Sequence, residues 1–336
     1  MTGVLHNWFV RPLWRKEIRQ TWGLLGLMLL LGFFAVLFTH MQQWWFQTPE
    51  YIQHNASIFD RDPDIAVSWA FSEKYAIFQF GLALICFLLA LWQMGYERRS
   101  HISELGFALP YPRWLIYGTK WMVGAAYIIS SVFVITVLYA VMLWASPVGS
   151  HFHVMVFIKY AFHVIFAVLS VYTFMLFMGS FTGSWTAQAV LTFILFCIYE
   201  FMASMLQQLS YVFFLVPIYQ HMDLRGTVWE KLNLLGWITE EIDRYPYGFV
   251  GVSALLLLVA GLVLYNRNPL ENNGKLILFP AGEKVLIGGF VLCAALLGGN
   301  IGYGLVYPGR LGYLIGAGFC FLLGYLIIRT LTRMRL

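Results

Sequence analysis

Eight stretches of this chain run for about 20 residues almost without charge, the length an α-helix needs to cross roughly 30 Å of hydrocarbon. They fall at Trp22 to Thr39, Ala76 to Gly95, Trp121 to Ala145, Val154 to Phe177, Thr186 to Leu206, Tyr247 to Tyr265, Val285 to Val306 and Leu311 to Ile328. The fold class they imply is an all-α polytopic membrane protein of about eight transmembrane helices. Composition agrees: 60% of the 336 residues are hydrophobic and 11% charged, against roughly 25% charged in a soluble domain. A mean hydropathy of +0.72 excludes a soluble globule, a disordered chain and a collagen. Cys86, Cys197, Cys293 and Cys320 all lie in apolar runs without zinc-ligand or disulfide-framework spacing, so they read as reduced, buried thiols.

Placing both termini in the cytoplasm puts 14 of the 21 basic residues and five acids on that side, and seven basic residues with ten acids on the other. That is the positive-inside asymmetry, and it orients the protein. The net charge of +5 therefore needs no nucleic acid to explain it. The first run is long and ends in Thr39, His40 and Met41 rather than a small-residue cleavage site, so it reads as an anchor.

Ahead of that run, Phe9, Leu13, Trp14 and Ile18 alternate with Arg11, Arg15, Lys16 and Arg19, with Glu17 beside them and Pro12 at a first-turn position. The spacing predicts an amphipathic helix within residues 1–21 that lies on membrane lipid at the inner surface. Two long outer loops, 41–75 and 207–246, mix aromatics with acids. Asp60, Asp62 and Asp64 lack the glycine and distal glutamate of a calcium loop and read as a solvated turn. Gly298 and Gly302, then Gly312 and Gly316, recur at four-residue intervals and predict a closely packed hairpin of the last two spans, following a cytoplasmic connector within 267–336.

The cytoplasmic stretch Glu97 to Lys120 is too polar to span and too apolar for an idle linker. Ile102, Leu105 and Leu109 fall on one helical face, and Pro110 and Pro112 stop that helix. An exposed apolar knob of this kind suits a groove in another protein. Glu104, Leu109, Pro110, Arg113, Ile116 and Lys120 follow in the order of the coupling helix between spans two and three of ABC-2-type permeases, and the chain resembles that family over residues 1 to 266. It departs where the family commonly has Gly-Thr (here His101 and Ile102), Ser (Pro112) and Gly (Thr119). The segment Tyr265 to Pro280 resembles the one that follows span six in the acetoin-utilisation (Ytr) branch. The resemblance implies a six-span permease core at 22–266 and a coupling helix near 98–110. Its docking residues for a separate ATPase would be Ile102, Ser103, Glu104, Leu105, Gly106, Phe107, Leu109, Pro110 and Arg113. It implies ATP and Mg on that partner, a second permease subunit in a homo- or heterodimer, and an exporter in a bacterial plasma membrane. This chain has no phosphate loop: Gly274-Lys275 lacks the upstream glycine and the following Ser or Thr.

Ionisable groups inside a span are functional candidates. Glu200 in span five and His163 in span four fall at similar depths, roughly 10 Å below the outer surface at 1.5 Å per residue, and are expected to face one another. Lys159 is expected to snorkel, and Gln79, Gln93, Gln188 and Asn300 to join helices. His151 and His153 lack a third metal ligand at helical spacing. Two other function classes fit less of the chain: a membrane enzyme using His163, Glu200, His151 and His153, and an ATP-independent sensor or scaffold.

Overall fold

The computed structural model describes residues 10–61, 63–99, 111–214 and 228–333. Of the expected coupling residues, Ile102, Ser103, Glu104, Leu105, Gly106, Phe107, Leu109 and Pro110 lie outside this set, and Arg113 opens a helix within it. Among the described residues the chain is built of helices, with one isolated bridge between Thr182 and Ile277 as its only extended pairing. Among the described residues eight helices are long and apolar enough to cross a membrane, and the protein is an all-α polytopic membrane protein.

The elements are α1 (Arg11–Trp44), α2 (Pro49–Arg61), α3 (Pro63–Ala90, running on through Leu91–Tyr96), α4 (Arg113–Trp144), α5 (Val154–Phe181) and α6 (Trp185–Phe214). Two short helices follow, α7 (Val228–Lys231) and α8 (Gly236–Thr239), then α9 (Tyr247–Asn266), α10 (Pro280–Leu305) and α11 (Gly309–Arg333). Proline starts several of them. Pro12 and Pro280 sit in first turns and Pro112 caps α4 in an extended conformation, where the missing N–H costs nothing.

The chain divides into two compact units. The first comprises Met1–Gln93, Leu109–Phe177 and Trp237–Leu262, the second Met94–Ala108, Met178–Gly236 and Val263–Leu336. In the first unit α1 packs on α4 and α3. The surface helix expected before span one is the opening of α1 itself: no helix end separates Arg11 from Gly32. Leu13 and Glu17 are buried, Trp14 is half-buried and only Ile18 of the four faces out. The physical reason is that Glu17 finds a buried cation, described below, so this face is drawn into the protein rather than spread on lipid.

The inward side chains of α1 include Glu17, Thr21, Met28, Gly32, Val36, His40 and Trp44, mostly four residues apart. At 3.6 residues per turn each such step would drift by about 40°. The wide π-helical turn Phe33–Phe38 takes up that drift and keeps His40 and Trp44 on the packed face. Gly32 marks the crossing, since a Cβ there would lie 2.5 Å from Ile135 and 2.9 Å from Phe78. Beyond it lies an aromatic core: Phe71 stacks on Tyr160 at 4.3 Å and meets Tyr139 and Phe157 edge-on. Much of the expected outer loop 41–75 is thus helical, and Trp44 packs against Phe59 of α2.

In the second unit α10 and α11 form the expected glycine hairpin. A Cβ on Gly302 would lie 2.2 Å from the Gly312 carbonyl oxygen, and one on Gly316 would lie 2.2 Å from that of Gly298, so backbone touches backbone. Helix α6 packs on α10, with Met202 Sδ 3.8 Å from Cys293 Sγ and Met205 Sδ 3.8 Å from the Asn300 amide. One expectation about thiols changes: Cys86 is buried, whereas Cys197 is exposed on α6.

Candidate functional site

Three polar arrangements interrupt the apolar packing. The first joins four helices of the first unit. Lys120 of α4 donates to Glu17 Oε1 of α1 at 2.9 Å, with side chains 0% and 1% exposed, and Lys16 Nζ stands 3.8 Å from the same oxygen. The Gln93 amide of α3 donates to the Lys120 carbonyl at 3.1 Å. The Tyr172 hydroxyl of α5 lies 2.7 Å from Gln93 Oε1 and 3.0 Å from the Lys120 carbonyl. Gly124, one turn beyond Lys120, leaves room for that phenol, because a Cβ there would sit 2.2 Å from it. Thr21 ties the turn by donating to the Glu17 carbonyl at 2.7 Å. A buried ion pair contributes little net stability, yet it makes the loss of either partner expensive.

The second arrangement belongs to the second unit. Arg98, 8% exposed, donates through Nη1 to the carbonyl of Thr182 in the turn between α5 and α6. Burial pushes its pKa down to about 10 against the opposing pull of Tyr265 and Glu97, so it stays charged near neutrality. The connector after α9 closes on the same turn. Gly274 N–H donates to Gly183 O at 2.9 Å, Leu278 N–H to Phe181 O at 3.1 Å, and the Asn272 amide to Leu278 O at 2.8 Å. Gly183 must lack a side chain, since a Cβ would fall 2.4 Å from the Lys275 carbonyl oxygen, and Gly274 holds φ 88°, a conformation glycine adopts without strain.

The third lies at the opposite end of α5, in the first unit. His163, 4% exposed, makes a 2.9 Å hydrogen bond between Nδ1 and the Tyr247 hydroxyl and meets the Tyr245 ring edge-on at 4.8 Å. Burial, with Tyr247 close by, raises the Tyr245 phenol above its ordinary range. One turn outward on α5, Lys159 donates to Asp243 at 2.9 Å. Lys159, Asp243 and Tyr247 line a groove of about 480 Å³ together with Met155, Ile158, Phe162 and Ile242.

The expected pairing of His163 with Glu200 has no counterpart in the described contacts. His163 is held by Tyr247 in the first unit, and Glu200, exposed on α6, accepts from the Asn233 amide at 2.9 Å in the second. The chain after α7 supplies the polar partner that span depth alone does not reveal. Lys159 is paired rather than merely snorkelling, and Gln93 joins helices as expected. Among the described residues no three His, Cys, Asp or Glu side chains group to hold a metal. His40 is a residue the sequence reading passed over. It is fully buried, with Nε2 against the Tyr139 hydroxyl, which also donates to the Ala70 carbonyl at 2.9 Å. Its four-residue spacing from Gly32 and Val36 is the signal that could have found it. No family model, curated protein or solved structure matches this chain.

Proposed function

We propose that this chain is the permease subunit of an ATP-driven transporter of the ABC-2 type, an exporter in a bacterial plasma membrane. It pairs with a second permease and takes its energy from ATP and Mg bound on a separate ATPase. The observation that carries this reading is the way the segment between Glu97 and Lys120 is tied down at both ends. Arg98, in the second unit, is buried and bonded to the α5–α6 turn; Lys120, in the first, is buried and bonded to α1. An idle loop needs neither contact, and each takes a cation out of water at a cost. In the proposed permease the stretch between these two residues is the one on which the ATPase acts, driving a rigid-body change between two packings.

The test is affinity purification of the tagged protein from its native membrane, beside a Leu105→Asp variant. The expected result is an ATPase that copurifies with the parent and is lost from the variant while expression and melting temperature hold. Absence of any ATPase from both preparations across several detergents would sink the proposal and turn attention to His163 as an acid–base group.

A further inference from the structure

We propose that the groove at the outer end of α5 binds a zwitterionic amphiphile, a lipid-like molecule whose headgroup carries one anion and one cation. The site is distinct from the tethers of the coupling segment and does not depend on an ATPase partner.

The walls come first. Met155, Ile158 and Phe162 recur at three- and four-residue steps on α5 and are 72%, 56% and 58% exposed, so this face of a span-length apolar helix is both groove wall and open surface. A hydrocarbon chain can enter from the bilayer without crossing water. The opposite wall is fixed beforehand: Tyr247 is pinned by His163 and packs with Phe162 and Phe166 at 6.0 and 5.4 Å between ring centroids. A volume of about 480 Å³ lies within the usual range for small-ligand sites.

The charges in the lining choose the headgroup. The groove is lined by one cation and one anion, Lys159 and Asp243, 2.9 Å apart with side chains 56% and 86% exposed. An exposed pair of this kind contributes little, so it opens at small cost. A ligand bearing a phosphate and an ammonium gives each of the two a new partner, the phosphate on Lys159 and the ammonium on Asp243, with the Tyr247 and Phe162 rings available to the cation. A ligand of single charge gives a new partner to only one of the two and leaves the other to water. Charge complementarity therefore selects the zwitterion over an anionic or a cationic amphiphile.

The experiment uses the full chain in maltoside micelles and three probes of equal chain length: a lysophosphatidylcholine, a lysophosphatidylglycerol and an alkyltrimethylammonium. Native mass spectrometry reads their binding. The expected result is about tenfold tighter binding of the zwitterion than of either other probe. Lys159→Gln should bring it level with the cationic probe and Asp243→Asn level with the anionic one. Both side chains are exposed, so neither change should move the melting temperature. Equal or tighter binding of the anionic or the cationic probe to the parent would overturn the proposal. So would zwitterion binding that survives both substitutions, which would mark generic lipid contact.

Discussion

Lys120 sits among apolar helices, wholly buried, and is paired there with Glu17. Lys120→Met takes from buried Glu17 its 2.9 Å partner and is expected to cost about 3–5 kcal/mol; Glu17→Gln combined with Lys120→Met should recover most of it. Thermal unfolding of the three variants in one detergent checks this, and equal losses in the single and double variants would mean that the ion pair is not the cause. Arg98 is the contrasting case. With its pKa pushed down to about 10 by burial, the folded state disfavours its charged form relative to the unfolded chain. That penalty applies below about pH 10 and lifts as pH rises from there through the ordinary arginine range. Arg98→Met is therefore expected to leave the melting temperature at pH 7 unchanged or higher and, under the permease function proposed above, to lower stimulation of the partner ATPase severalfold; undiminished stimulation would show that Arg98 is not a tether. Much of this chemistry was visible beforehand as single residues. Glu17 and Lys120 each stood out, one in the amphipathic opening and one in the coupling pattern. Their pairing did not, because it depends on the register of two helices a hundred residues apart.

At the scale of elements, hydrophobic run length located all eight spans, since hydrocarbon thickness sets a minimum that a sequence displays directly. It misplaced their ends where helix continues beyond lipid. Arg11 to Thr21 and Arg113 to Lys120 carry too much charge to register as span, yet they are the first turns of α1 and α4. The glycine hairpin was legible because small residues at four-residue steps have one geometric use. Gly302→Ala forces a methyl group onto the Gly312 carbonyl oxygen and should cost about 1–3 kcal/mol. Gly304→Ala, with nothing within 4 Å of the new methyl, is expected to be neutral or mildly stabilising. Melting temperatures of the two variants separate backbone contact from any general intolerance of alanine in α10.

For the whole molecule, each unit has its own polar fastening: the Glu17–Lys120 pair with Gln93 and Tyr172 in one, Arg98 and the connector clasp in the other. The asymmetry of basic residues predicts an orientation from sequence alone, but the clasp was invisible there, since Gly183 and Gly274 acquire meaning only when two distant turns meet. The helices also differ in length. At 1.5 Å per residue α1 and α4, with 34 and 32 residues, measure about 51 and 48 Å, well beyond a hydrocarbon slab of about 30 Å. Helix α9, with 20 residues, measures about 30 Å and has no length to spare. Bilayer thickness is consequently felt first at α9. A membrane of longer acyl chains must thin around it or draw its ends inward, and the end it draws on is Tyr247, the residue that anchors His163 and one wall of the groove. Acyl-chain length thereby becomes a variable acting on this protein through a single helix.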